Sequence, residues 1–107
     1  MSYRVITEVR FTDQFNQLSP DEQMAEQIEA LQIVTRNGGT ISDIFVVPTD
    51  QCAVTIAEYA DETASLKAHL QIGARGAYTL TARRSYTLDE FTAITEAARA
   101  EAVVPVS

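Results

Sequence analysis

Residues 40–86 read TISDIFVVPTDQCAVTIAEYADETASLKAHLQIGARGAYTLTARRSY, and this stretch decides the fold. Thr40–Val47 and Cys52–Tyr59 are both rich in Ile, Val, Thr or aromatic residues, and Pro48-Thr49-Asp50-Gln51 between them has turn chemistry. Two such runs across a short turn predict an antiparallel hairpin. Asp61 can cap a helix that reaches about Ile72, where Gly73 and Gly76 stop it. Tyr78, Leu80, Ala82, Arg84 and Tyr86 then alternate with Thr79, Thr81, Arg83 and Ser85, the period-two signature of a strand.

Toward the N-terminus, Tyr3–Phe11 alternates in the same way, with Tyr3, Val5, Thr7, Val9 and Phe11 on one side and Arg4, Ile6, Glu8 and Arg10 on the other. A polar connection, Thr12–Leu18, leads to Ser19-Pro20-Asp21-Glu22. Ser19 is a natural N-cap, Pro20 suits the first helical position and Glu22 completes a capping box. Met24, Ile28, Leu31 and Val34 follow at helical spacing, and Gly38-Gly39 ends the segment. Toward the C-terminus, Thr87-Leu88-Asp89-Glu90 is a second capping box, opening a helix with Phe91, Ile94 and Ala98 on one face.

The order is therefore strand, helix, strand, strand, helix, strand, with an added C-terminal helix. It predicts an α+β, ferredoxin-like βαββαβ fold, in which two main helices cover one face of a four-stranded antiparallel sheet. Residues 1–102 form one such domain, and 103–107 an extended tail.

Composition narrows the function. With 15 acidic and 8 basic residues among 107, the net charge is −7, the wrong sign for a nucleic-acid backbone or an anionic membrane surface. One Cys and one His are too few for an ordinary zinc site, so no metal is expected. The N-terminus MSYRVITEVR has no basic region followed by an apolar stretch, and no run approaches a membrane span, so a cytoplasmic location is expected.

Residues 58–91, EYADETASLKAHLQIGARGAYTLTARRSYTLDEF, resemble the small bacterial GYD domain family. The likeness lies in the acidic helix start at Asp61-Glu62, the alanines Ala64 and Ala68, the turn Gly73–Gly76, and Arg84-Ser85-Tyr86-Thr87 before an acidic helix. Phe11-Thr12-Asp13-Gln14 at the end of the first strand is also similar. The resemblance implies a ferredoxin-like fold and a dimeric α/β-barrel assembly, with no established activity. The chain departs from the pattern in the hairpin, where Thr49-Asp50-Gln51 stands in place of the namesake tripeptide, and at His69, where a small apolar residue is usual.

Two groups of residues could carry chemistry. Val5, Val9 and Phe11, Val54 and Ile56, and Leu80 and Ala82 mark the more apolar strand sides, which should face the helices. The opposite side then presents Ile6, Glu8, Arg10, Thr55, Tyr59, Thr79, Thr81 and Arg83, a mixed surface that a second subunit would cover. There Glu8, Arg10 and Arg83 either form cross-strand ion pairs or line a polar pocket in which an Arg holds a ligand carboxylate. The second group is on the helix after Asp61. Thr63, Lys67 and Gln71 form its polar arc, and Ser65 and His69 fall on the centre line of the opposite, inward arc. They either satisfy each other as core polar groups or place a proton-transfer residue beside a cavity to which Tyr3, Tyr59, Tyr78 or Tyr86 could supply a phenol, Tyr59 being the candidate orienting donor.

Weaker signals have bland explanations. Gly73–Gly76 follows a helix and reads as a C-cap, not a phosphate loop; Cys52 reads as a small buried hydrophobe; and the acidic pairs at helix starts favour the dipole. Three functions follow. The first is a homo-oligomeric domain binding a small anionic or polar organic ligand through Glu8, Arg10, Ser65 and Arg83. The second is a cofactor-independent isomerase, cyclase or monooxygenase using His69 and Tyr59. The third is an accessory subunit without ligand.

Overall fold

A computed structural model describes residues 2–102. The expected tail at 103–107 lies outside the described residues. The fold is α+β: four helices and an open, four-stranded antiparallel sheet in the ferredoxin-like arrangement. The strands are β1 (Tyr3–Phe11), β2 (Thr40–Val47), β3 (Cys52–Tyr59) and β4 (Tyr78–Ser85), in the spatial order β2-β3-β1-β4. The helices are α1 (Asp13–Asn16), α2 (Pro20–Arg36), α3 (Glu62–Gly73) and α4 (Leu88–Glu101).

Local chemistry sets the helix starts. The Ser19 hydroxyl accepts from the Glu22 N–H at 3.2 Å while the Glu22 carboxylate accepts from the Ser19 N–H at 2.9 Å. Thr87 and Glu90 repeat this reciprocal pair at α4, and Asp61 caps α3 through the Ala64 N–H. The stretch read as a plain connection holds the short α1, capped by Thr12, because Phe15 turns inward to stack on Phe11 with ring centroids 4.8 Å apart. Tyr78 completes that aromatic group, 5.5 Å from Phe15 and 6.1 Å from Phe11. Gly39 is required where β2 begins, because a Cβ there would lie 2.6 Å from Val34 Cγ1 and 2.7 Å from Tyr59 Cε1.

Register decides which side chains meet the helices. β1 pairs with β3 through Tyr3↔Tyr59, Val5↔Ala57, Thr7↔Thr55 and Val9↔Ala53, and with β4 through Thr7↔Ala82 and Val9↔Leu80. Residues directly opposite share a face, so the buried Val5 and Thr7 place Ala53, Thr55, Ala57 and Tyr59 under the helices. This corrects the sequence reading of β3. Val54 and Ile56 lie on the open face beside Glu8 and Ile6, and Thr55 and Tyr59 lie on the covered one. Val and Ile outrank Ala and Thr in hydrophobicity, but strand pairing, not hydrophobicity, sets which of them faces the helices.

The core runs through Val5, Phe15, Ile33, Val34, Ala68 and Ile72. The stripe Met24, Ile28 and Leu31 on α2 is exposed, and the helix is buried instead at Ile33 and Val34. On α3 the buried line is Ser65, Ala68 and Ile72, leaving Leu66 and Leu70 outside. No described helix is long and apolar enough to cross a membrane.

Candidate functional site

A cavity of about 350 Å³ lies between the covered sheet face and α2. Its floor is Val9, Ala53, Thr55 and Ala57, and its roof is Gln27, Ala30 and Leu31 of α2. It is open between α2 and the edge strand β2, where Leu31, Ile44 and Val46 line it while remaining exposed. Among the described residues its lining includes no Asp, Glu, Lys or Arg.

The polar end of the cavity is built by α3 and β1. His69 Nδ1 lies 2.6 Å from the Ser65 carbonyl oxygen and 3.3 Å from Ser65 Oγ. A carbonyl can only accept, so in the neutral ring Nδ1 carries the proton and Nε2 keeps its lone pair. Thr7 Oγ1 is 2.8 Å from Nε2 and donates to it. A directed chain results, from Thr7 O–H to His69 Nε2 and from His69 Nδ1–H to the Ser65 carbonyl, and the Thr7 oxygen keeps its own acceptor capacity for a neighbour in the cavity. Thr7 is 4% exposed, and both it and His69 line the cavity.

Two phenols accompany this chain. Tyr59 packs its ring 6.2 Å from the imidazole, and burial pushes its hydroxyl above the usual phenol range. Tyr78 also lines the cavity. Burial, reinforced by the Glu26 carboxylate and opposed by Arg75, pushes its pKa up to about 12, so the phenol is a neutral donor at any ordinary pH. Its Oη is buried with no hydrogen-bond partner among the described residues.

The expected site residues thus divide between the two faces of the sheet. His69, Ser65 and Tyr59 come together beneath the helices. Glu8, Arg10 and Arg83 stand on the open face, where Arg10 Nε is 2.7 Å from Glu8 Oε1 and Arg10 Nη2 is 3.2 Å from Asp50 Oδ2. The Arg10 side chain therefore holds the Asp50 carboxyl below its ordinary range. Arg10 thus pairs with Glu8 along its own strand and with Asp50 in the turn, not across strands as one of the two readings had it, and none of the three residues lines the cavity. Thr7 is the site residue that sequence reasoning passed over, and Tyr78 is one of the four tyrosines read as able to supply a phenol. Thr7 left a signal: it is the polar residue at the centre of an otherwise apolar strand side, and polar residues in such a place need a partner.

Other chemistry is sparse. Cys52 is buried, its thiol pushed up by burial, with Sγ 3.5 Å from Asp50 Oδ2. Among the described residues no group of three or more His, Cys, Asp or Glu side chains is placed to hold a metal ion. No family model matches the chain, and no curated protein matches it.

Proposed function

We propose that this chain is a small-molecule-binding domain, GYD-like in its pattern, whose cavity takes a compact and largely apolar organic molecule bearing one hydroxyl or carbonyl group. The observation that carries the proposal is the Thr7–His69–Ser65 chain ending in an uncharged cavity. Ligand cavities combine apolar walls with a few placed polar groups, and this one follows that pattern. Size supports the class: a cavity of about 150 Å³ accommodates benzene, so about 350 Å³ suits a two-ring molecule. The absence of charge in the lining favours a neutral ligand over the anionic one that Arg10 and Arg83 suggested in the sequence.

Titration with 2-naphthol, followed by its fluorescence, tests this, with naphthalene-2-sulfonate as the anionic control. The neutral naphthol binds and the sulfonate does not. Thr7→Val, which keeps the side-chain shape, weakens naphthol about tenfold by removing one hydrogen bond. Preference for the sulfonate, or equal binding by Thr7→Val, overturns the proposal.

The same chain favours a second reading as a cofactor-independent proton-transfer enzyme. Thr7 Oγ1 would take a proton from an acidic C–H of a cyclic ketone while passing its own to His69 Nε2. In a β,γ-unsaturated cyclic ketone, return of the proton to the γ carbon shifts the double bond into conjugation and completes an isomerisation with nothing oxidised or reduced. Deuterium exchange into 2-tetralone, catalysed by the protein and lost in His69→Ala, is the expected result. Exchange no faster than in buffer removes this reading and leaves the binding domain.

A further inference from the structure

Thr7 has a second threonine beside it beneath the helices. On one flank β1 pairs Thr7 with Ala82 of β4, whose side chain has nothing to bond, and on the other with Thr55 of β3. Thr55 lines the same cavity and is half-buried, and its hydroxyl makes no hydrogen bond to another described residue. Directly opposed side chains on antiparallel strands have Cβ atoms about 4.5–5.5 Å apart. One ligand oxygen bonded to two hydroxyls at about 2.8 Å each needs them no more than about 5.6 Å apart. The two threonines therefore suit a single shared atom.

Their hydrogen-bond roles differ, and His69 makes them differ. A hydroxyl has one hydrogen to give and two lone pairs to accept with. The hydrogen of Thr7 is committed to His69 Nε2 at 2.8 Å. The neutral ring cannot reverse that bond, because Nδ1 keeps its own hydrogen for the Ser65 carbonyl oxygen at 2.6 Å. Toward the cavity Thr7 thus offers lone pairs alone. Thr55, with no partner among the described residues, has its hydrogen free to give. The pair presents one acceptor and one donor side by side.

We infer that this cavity selects an alcohol or phenol over a ketone, the ligand hydroxyl donating to Thr7 and accepting from Thr55, and that His69 is the positioning residue that sets the choice. The inference rests on the binding reading above and narrows its ligand class. A hydroxyl group uses both threonines. A carbonyl oxygen can only accept, so Thr55 serves it while Thr7 meets it with lone pairs. Charge does not compete, since no Asp, Glu, Lys or Arg lines the cavity among the described residues. One hydrogen bond lost, with a buried acceptor left unpaired, separates the two classes by about tenfold or more in affinity.

The test is isothermal titration calorimetry of the full chain near neutral pH with 2-tetralol and 2-tetralone, two-ring molecules of nearly the same shape that differ in the hydroxyl and the carbonyl. The alcohol binds about tenfold or more tightly than the ketone. Thr7→Val weakens the alcohol about tenfold and leaves the ketone unchanged, so the preference disappears, and Thr7→Ser restores it. Thr55→Val weakens both. His69→Leu releases the Thr7 hydrogen, so the ketone gains about tenfold while the alcohol changes little. Removing a histidine that only packs would weaken both probes together. Urea unfolding checks that His69→Leu is folded, and the Thr7 variants carry the test where it is not. Equal affinity for the two probes in the wild type, a preference for the ketone, or no gain by the ketone in folded His69→Leu overturns the inference and leaves the cavity a binding site. If neither tetralin derivative nor 2-naphthol binds, the binding reading falls and this inference falls with it.

Discussion

Replacing Tyr78 by Phe should make this protein more stable. The ring is anchored between Phe11 and Phe15 and is only 5% exposed, so Phe retains every ring contact. What disappears is a hydroxyl with no partner among the described residues. A buried, unsatisfied polar group costs about 1–3 kcal/mol. Removing one oxygen leaves a small space that returns part of that gain, so the net stabilisation is about 1–2 kcal/mol. In a domain of this size that raises Tm by roughly 4–10 °C. Urea unfolding at unchanged m-value and scanning calorimetry measure it. The pH dependence adds an independent check. The phenol's pKa is raised in the folded state from 10.0 to about 12, so its neutral form is favoured there. Its contribution is complete below pH 10 and is lost as pH rises through about 12. Phe has no such titration, so the gap between variant and wild type widens above pH 10. A variant no more stable than wild type at neutral pH, or a gap that is constant into the alkaline range, refutes the reasoning.

Four further outcomes test the scaffold. Gly39→Ala brings a Cβ to 2.9 Å from the Val34 carbonyl oxygen as well as against Tyr59, and should cost about 1–3 kcal/mol in urea unfolding. Gly38→Ala meets nothing within 4 Å and carries only the strain of φ +76°, about 1 kcal/mol. Ser19→Ala removes one half of the α2 capping box and should lower stability by about 1 kcal/mol. Glu22 and Glu90 are held below their ordinary value chiefly by the backbone N–H groups of Ser19 and Thr87, and Asp50 by the Arg10 side chain. Their folded pKa values are depressed, so their contribution is present above the unfolded values of 3.8 and 4.5 and is lost as pH falls through the folded ones. Acid unfolding should begin below about pH 4, and should be shallower in Glu22→Gln with Glu90→Gln.

What the sequence disclosed and what it concealed follow from the range of the interactions. Ser19 with Glu22, Thr87 with Glu90, and Asp61 with Ala64 act across three residues, and the helix starts were legible for that reason. The side of β3 that faces the helices was not legible. It depends on the pairing Val5↔Ala57, and hydrophobicity ranked Val54 and Ile56 above the alanines that actually lie beneath α2. The helical wheel placed Ser65 and His69 on the inward centre line, but the partner that meets His69 Nε2 and carries the chain to the cavity is Thr7, 62 residues away. Spacing cannot reach that far. It could have matched one polar residue in the middle of an apolar strand side with another in the middle of an apolar helix side. Glu8, Arg10 and Arg83 share a face as read, yet whether that face holds the cavity was a question of register.

The small residues of this fold make sense only together with the cavity. Ala53 and Ala57 lie under α2 and Ala68 is buried on α3, where ordinary packing would place larger side chains. A sealed, dry cavity of about 350 Å³ would cost on the order of 8 kcal/mol at about 24 cal/mol per Å³. That is comparable to the whole stability of a domain, about 5–15 kcal/mol. The chain avoids most of this cost by leaving the gap between α2 and β2 open, and the exposure of Leu31, Ile44 and Val46 is the consequence. An apolar opening is itself unfavourable in water, by roughly 25 cal/mol per Å² of surface left uncovered. A ligand that fills the cavity and reaches its mouth recovers both terms, while its single polar group meets the Thr7–His69 chain. The two sides of the sheet thus carry separate unmet demands, one of volume beneath the helices and one of area on the open face.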